Sequence, residues 1–255
     1  MVLPMHEKIQ RFVYTFFYLT PLLLTLISCQ SEQIPELNLP TPPRGVVVPK
    51  EMVYIPEGEF IMGHPDHNKT VRGKKVYTHA YLIDKFEVTN EQYKKFDSTY
   101  RYPEGQNNYP ATYISYNMAV LYLNFVGKRL PIEAEWEKAA RGTDGRMFPW
   151  GDKVFGPPNY GFSGLVTEPV GKRKALVSPF GAYDMVGNVW EWTSDWYSFE
   201  GMPKEYKKKF KVIRGGVLSV HLRSDYSYTF DRNYMPSDSK FNFIGFRGAK
   251  SIKSQ

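Results

Sequence analysis

Residues 184–192 read Asp184-Met185-Val186-Gly187-Asn188-Val189-Trp190-Glu191-Trp192, a run that places two carboxylates and two tryptophans around a glycine. Glycine, proline, asparagine and aromatic residues dominate the chain after Gly142, where no long helical pattern remains. This composition predicts loops and short strands in the C-terminal half. Because large aromatic rings are mostly packing groups, we expect core or sheet-packing roles for Trp136, Trp150, Trp190 and Trp192.

Helix boundary signals predict three helices upstream of that half. Thr89 is a suitable N-cap, and Gln92 three residues later completes a capping box. A second helix is predicted to begin at Ser115 and to end before a glycine at 127. A third is predicted at 131–142, because a proline opens it, acids fill its first turn, basic residues fill its last turn and a glycine ends it. Short strands are predicted at 53–56, 59–63 and 81–88.

The N-terminal segment predicts export and attachment to a membrane. The chain has one cysteine, Cys29, which directly follows an apolar stretch at residues 12–27. Lys8 and Arg11 precede that stretch, a pattern typical of a secretory signal. The segment 26–29, Leu-Ile-Ser-Cys, resembles the bacterial lipoprotein box, which implies cleavage before Cys29 and acylation of its thiol. The alternative is an uncleaved signal anchor with a chance cysteine.

These features divide the chain into four predicted parts. Residues 1–28 are predicted to be a signal peptide, and residues 29–50 a lipidated cysteine followed by a proline-rich tether. Residues 51–250 are predicted to form one domain, followed by a tail at 251–255. We therefore expect an exported bacterial lipoprotein, anchored in either the inner or the outer membrane.

The charge balance is mildly basic. Lysine and arginine number 33 against 26 acids, a net charge of +7. Lysines concentrate in two places, which are Lys204, Lys207, Lys208, Lys209 and Lys211, and Lys172 and Lys174 beside Arg173. Such clusters are usually solvated loops, and the alternative is contact with an anionic lipid or glycan. An exported protein is not expected to bind nucleic acid.

Seven short segments follow one another through the predicted domain. They are residues 52–63, 87–90, 127–137, 148–152, 187–192, 214–216 and 245–247. In this order they resemble the formylglycine-generating enzyme, or sulfatase-modifying factor, family. The resemblance implies an α+β fold, a variant of the C-type lectin fold with short mixed sheets, about three helices and much irregular loop.

The same resemblance implies a calcium site within the opening stretch. The side chains of Asp184 and Glu191 and the backbone oxygens of Gly187 and Val189 would be its ligands. Together they form a hard oxygen donor set, the kind that calcium takes. The alternative is that Asp184 caps a turn while Glu191 pairs with a nearby arginine.

A second, weaker calcium site is implied at Asn159 and Tyr160. A later aspartate of the family aligns with Ser163, so this site has lost a carboxylate. Losing a carboxylate weakens a site for a hard cation.

The resemblance also implies an oxidation chemistry that this chain cannot perform in the same way. Enzymes of the family oxidise a substrate cysteine to formylglycine, using two cysteines that bind copper. Those positions correspond here to Val220 and Asp225. Valine has no metal ligand, and aspartate is a hard ligand where copper(I) selects thiolates. We therefore expect no catalytic residues of the family type and no copper.

Three functions remain open at this point. The first is a membrane-tethered, non-catalytic binding or assembly module whose partner is an envelope protein, peptide or glycan. The second is an enzyme with altered, copper-independent chemistry in the same cleft, for which His221 and Asp225 are weak candidates, with Arg223 nearby. The third is an inactive paralogue that binds sulfatase-like peptides.

Overall fold

The computed structural model describes residues 37–65, 73–152, 167–216 and 228–252. Outside the described ranges lie the predicted lipidation site Cys29, the weaker calcium site at Asn159 and Tyr160, the weak catalytic candidates His221 and Asp225, and Val220, one of the two family cysteine positions. The described strands are β1 (Met52–Ile55), β2 (Gly58–Met62), β3 (Lys74–Thr78), β4 (Tyr81–Asp84), β5 (Trp190–Trp196), β6 (Phe210–Arg214), β7 (Arg232–Pro236), β8 (Ile244–Gly245) and β9 (Ala249–Ser251). The described α-helices are α1 (Asn90–Phe96), α2 (Tyr116–Phe125) and α3 (Glu133–Arg141).

These strands form three small sheets. The first has the order β1-β4-β9, the second pairs β2 with β3, and the third has the order β7-β6-β5-β8. The pairing of β5 with β8 is parallel and the other two pairings of the third sheet are antiparallel, so this sheet is mixed. β1 and β2 are close in sequence but belong to different sheets, and each pairs with a strand further along the chain.

The predicted helix boundaries are confirmed by the observed caps. Thr89 accepts a hydrogen bond from the backbone N–H of Gln92, whose side chain accepts one from the Thr89 N–H in return. Ser115 is the N-cap of α2. Helix α3 begins at Glu133, two residues after the predicted start, and Gly142 ends it with a positive φ of 77°.

The core consists of aromatic and aliphatic side chains between the sheets and the helices. Trp192 packs with residues of α1 and α2, and Trp136 of α3 packs against the first sheet. Both rings are fully buried, as expected. Trp150 and Trp190 are partly buried, and Trp190 packs against the same core cluster as Trp192.

The chain ahead of β1 lies against the domain without forming a helix or strand. From residue 37 to 50 the backbone has only turns, and Val48 packs against Met52 of β1. Leu39 lies beside Gly181, where both contribute to the lining of one cavity. Within the four described ranges, no helix is long and apolar enough to cross a membrane.

Candidate binding site

Helix α3 is highly charged and yet almost entirely buried. Glu133 and Glu137 are one turn apart and face β6, where Arg214 donates from Nη1 to Glu133 at 2.7 Å and from Nη2 to Glu137 at 2.7 Å. Arg141 donates to Glu137 at 2.8 Å and to the carbonyl oxygen of Gly63 at 2.7 Å. Buried charges are tolerated only when they are paired and hydrogen-bonded, so these contacts fix α3 against β6.

Lys138 of α3 is buried, and no carboxylate among the described residues lies at hydrogen-bond distance from it. Its Nζ donates to the carbonyl oxygens of Pro56 at 2.7 Å and Gly58 at 2.9 Å, and to the hydroxyl of Thr78 at 3.0 Å. These three acceptors match the three protons of an ammonium group. Burial lowers the pKa of Lys138 from 10.5 to about 8, because the charged form loses its hydration.

The same charged network clamps the strands on either side of segment 217–227. Arg214 ends β6 before the segment, and it also donates to the carbonyl oxygen of Thr229 at 2.6 Å, just after the segment. Arg232 begins β7 and donates to both oxygens of Glu133 at 2.8 Å. The two arginines face each other in the register of β6 and β7. Glu133 therefore holds both ends of the segment that contains the two family cysteine positions, Val220 and Asp225, and the weak catalytic candidate His221.

A cluster of five rings lies at the same end of the domain. Phe148 stacks on Trp150 at 4.8 Å and contacts Tyr228 at 5.2 Å. Tyr228 stacks on Phe230 at 4.9 Å, and His64 lies 5.0 Å from Phe230. Three sequence segments begin or end within three residues of a ring in this cluster, namely 66–72, 153–166 and 217–227. We call these five residues the ring platform.

The predicted calcium ligand Glu191 has a different set of partners in the structure. Arg247 donates from Nε and Nη2 to the two oxygens of Glu191, each at 2.7 Å. Trp136 donates its ring N–H to one of these oxygens at 2.8 Å. All three residues are fully buried. This arrangement corresponds to the alternative in which Glu191 pairs with an arginine.

Asp184, the other predicted side-chain ligand, lies in a buried acidic pair. Its φ is 58°, and its carboxylate accepts a hydrogen bond from the N–H of Gly171 at 2.6 Å. Burial raises the pKa of Glu87 well above its usual range, and the neighbouring Asp184 carboxylate raises it further. Burial also raises the pKa of Asp184, although hydrogen bonds from Gly171 and Glu87 lower it. Glu87 and Asp184 are therefore two neighbouring buried carboxyl groups, each with a raised pKa.

The donor set fits calcium in kind, but the orientation of Glu191 towards Arg247 does not fit the predicted ligand arrangement. Among the described residues, no three His, Cys, Asp or Glu side chains are grouped so that they could hold a metal ion. Calcium binding at residues 184–191 therefore stays a prediction. The second predicted site, at Asn159 and Tyr160, lies outside the described ranges.

Sequence reasoning did not find the network around Glu133 or the ring platform. The acids and basic residues of α3 were identified only as groups suited to the ends of a helix, where charges are normally exposed. The signal that could have found the network is the alternation of charge with alanine and tryptophan in α3. Because α3 has few apolar residues, it can be buried on nearly all sides only if its charged side chains are paired.

Most of the chain resembles a known protein family and its members. Residues 40–252 match the family described as sulfatase-modifying factor enzyme 1-like domain. The chain is 29% identical to the formylglycine-generating enzyme of Mus musculus, over 83% of this chain and 78% of that protein. It is 34% identical to the formylglycine-generating enzyme of Streptomyces coelicolor, over 57% of this chain and 54% of that protein.

Two solved structures have a similar backbone. Treponema denticola variable protein 1 superposes with a TM-score of 0.64 at 24% identity, covering 78% of this chain and 94% of that one. PvdO from Pseudomonas aeruginosa superposes with a TM-score of 0.59 at 26% identity, covering 79% of this chain and 94% of that one.

Proposed function

This chain belongs to the sulfatase-modifying factor enzyme 1-like family and has the C-type lectin-like variant of the α+β class, and we propose that it uses this scaffold without the family's catalysis. The proposed function is that of a membrane-tethered, non-catalytic binding or assembly module of the bacterial envelope. The observation that carries this proposal is that the matched domain, residues 40–252, contains no cysteine. By the resemblance, the two copper-binding positions are Val220 and Asp225. These residues do not fit copper(I), so the family oxidation has no route here.

The ring platform and the charged network around Glu133 are the proposed support for partner binding. Aromatic rings provide a large contact area with little loss of side-chain freedom, which suits a binding surface. The network around Glu133 holds both ends of segment 217–227 in fixed positions. A rigid frame lowers the entropy that is lost when loops are ordered by a partner. The proposed partner is an envelope protein, peptide or glycan.

Photo-crosslinking in cells tests this location. A crosslinking residue would replace Pro65 or Asp152 in the full-length chain, because both are exposed beside the ring platform. The control is Leu121, which is exposed on α2. We expect one discrete crosslinked species from the first two positions and none from the control. Equal crosslinking from all three positions, or none from any, would contradict the proposed location.

A second experiment separates tethering from chemistry. The double variant His221→Ala/Asp225→Ala removes the two weak catalytic candidates, whereas Cys29→Ala removes the proposed lipidation site. We expect the cellular phenotype of a deletion to return with Cys29→Ala and not with the double variant. The opposite result would favour the altered, copper-independent enzyme.

The third function, an inactive paralogue, is tested with a peptide. Because the mouse relative is a formylglycine-generating enzyme, the relevant probe is a sulfatase-like Cys-x-Pro-x-Arg peptide. Saturable binding of this peptide to the full-length protein would support the paralogue over the assembly module. The matched control is the same peptide with its arginine changed to glutamate.

Calcium is proposed as a structural ion, and its test is independent of partner binding. A ligand that binds the folded state alone stabilises it by RT ln(1 + L/Kd), where L is the free ligand concentration, and so raises the melting temperature. If Asp184 and Glu191 bind calcium, the melting temperature should be higher in calcium than in chelator, and Asp184→Asn should reduce that difference. Identical melting temperatures in the two conditions would remove calcium from the proposal.

A further inference from the structure

The loop between β5 and β6, residues 197–209, is basic and exposed. It contains four lysines and two glutamates, a net charge of +2. The lysines are Lys204, Lys207, Lys208 and Lys209, and each of them is exposed. This cluster therefore lies in solvent and takes no part in the buried charge network of α3.

Five aromatic rings lie beside these lysines in one continuous row. Phe199 contacts Tyr197 at 6.2 Å, and Tyr197 contacts Tyr234 of β7 at 4.4 Å. Tyr234 contacts Phe210 at 5.1 Å, and Phe210 contacts Tyr206 at 6.5 Å. We call this row the aromatic strip. It joins the loop to the outermost strand of the third sheet.

The aromatic strip faces solvent over much of its length. Phe199 is 54% exposed, Tyr206 45% and Tyr234 43%. Lys209 places its ammonium group 5.5 Å from the centre of the Tyr206 ring, so positive charge and rings occupy one surface. A contiguous exposed apolar surface bordered by polar and charged residues is typical of an interaction site.

The loop is held in this conformation by its own backbone. The N–H of Met202 donates to the carbonyl oxygen of Phe199 at 3.2 Å, and the N–H of Tyr206 donates to that of Pro203 at 3.0 Å. Met202, in the middle of the loop, is buried. The lysines and rings are therefore presented without a large ordering cost on binding.

We propose that this loop and the aromatic strip dock on the headgroup region of an anionic bilayer. Aromatic rings are favoured at the level of the lipid headgroups, and lysines near an anionic surface are attracted to lipid phosphates. The surface pairs both kinds of group on one side of the domain. This contact is separate from the proposed lipid anchor and from partner binding at the ring platform.

A glycan is the less favoured partner for this surface. Sugars stack on rings whose rims carry hydrogen-bond donors and acceptors for the sugar hydroxyls. The most exposed ring of the strip is Phe199, which has no polar atom. A bilayer interface accommodates an apolar ring and an ammonium group side by side, because each reaches a different depth.

Hydrogen exchange of the full-length protein in vesicles tests the proposal. The two vesicle types are phosphatidylcholine alone and phosphatidylcholine mixed with phosphatidylglycerol, so that an N-terminal anchor acts equally in both. We expect slower amide exchange at residues 198–209 in the anionic vesicles only, with the difference lost at high salt. Exchange in α2 should be the same in both. Equal exchange of the loop in the two vesicle types would overturn the proposal.

Charge-matched variants make the test specific. Lys207→Gln/Lys208→Gln should weaken docking about 30-fold, which is ~2 kcal/mol at ~1 kcal/mol per lysine near an anionic surface. Lys74→Gln/Lys75→Gln removes the same charge from β3 and should leave docking unchanged. If both pairs weaken docking equally, net charge alone explains it and the proposed surface is wrong.

The aromatic strip has its own matched pair. Phe199→Ser should reduce protection of the loop, whereas Phe125→Ser, at an exposed ring of α2, should not. A soluble sulfated polysaccharide distinguishes the other ligand class. Protection of the loop by this polysaccharide, with none from anionic vesicles, would replace the membrane with a glycan.

Discussion

Lys138 should make this protein more stable as the pH rises above neutrality. Its ammonium group is buried, and burial lowers its pKa from 10.5 to about 8. The unfolded chain keeps the proton until about pH 10.5, whereas the folded protein loses it near pH 8. Between these values the unfolded state binds more protons, so the free energy of unfolding increases with pH.

The size of the effect follows from the two pKa values. The gap between about 8 and 10.5, at ~1.4 kcal/mol per pH unit, gives ~3.4 kcal/mol over the whole window. Titration of the folded and unfolded forms places about 2 kcal/mol of this between pH 7 and about pH 9.5. The upper limit stays below the ordinary range of tyrosine, which would otherwise add a second titration.

Urea unfolding of the full-length protein in mild detergent measures this rise. Wild type should gain about 2 kcal/mol more between the two pH values than Lys138→Met, which has nothing to titrate at this position. Lys75→Met, at an exposed lysine of β3, is the control and should follow wild type. If Lys138→Met gains as much stability as wild type, the assignment to Lys138 is wrong.

Two further predictions concern the stability of the domain. Arg214→Met should lower the free energy of unfolding by about 3–5 kcal/mol, because the buried Glu133 and Glu137 each lose one of their two arginine partners. Arg146→Met, which breaks a partly exposed pair, should cost less than ~1 kcal/mol in the same urea experiment, and similar losses would contradict the role of burial. Gly171→Ala should destabilise by at least ~1 kcal/mol more than Gly105→Ala, measured by thermal melting. Both glycines have a positive φ, but only at 171 would a methyl group clash with the ring of Phe86.

Local signals in the sequence predicted the helices well. Capping depends on residues within a few positions of each other, as with Thr89 and Gln92, so a short stretch contains all the information. Gly142 ended α3 as predicted because a left-handed backbone favours glycine. The order of the motifs predicted the C-type lectin-like variant, which composition and periodicity alone would not have reached.

The sequence alone did not predict which strands and side chains pair with distant parts of the chain. β3 lacks the regular alternation of a half-buried strand, and its place is set by pairing with β2. Arg214 and Glu133 are 81 residues apart, and no local pattern indicates that they meet. For the same reason the sequence left two roles open for Glu191, whose arginine partner is 56 residues away. Such contacts follow from the packing of distant elements and so appear only in the folded chain.

The clamp around Glu133 also makes the protein a suitable host for foreign sequence. Arg214 and Thr229 are joined by a hydrogen bond, and Glu133 links Arg214 to Arg232, whatever residues connect β6 to β7. A peptide of another length or composition could therefore replace residues 217–227 while the junctions at either end keep their positions. Evolution and protein engineering could use the same opportunity, because a family built on this frame can exchange specificity without redesigning its core.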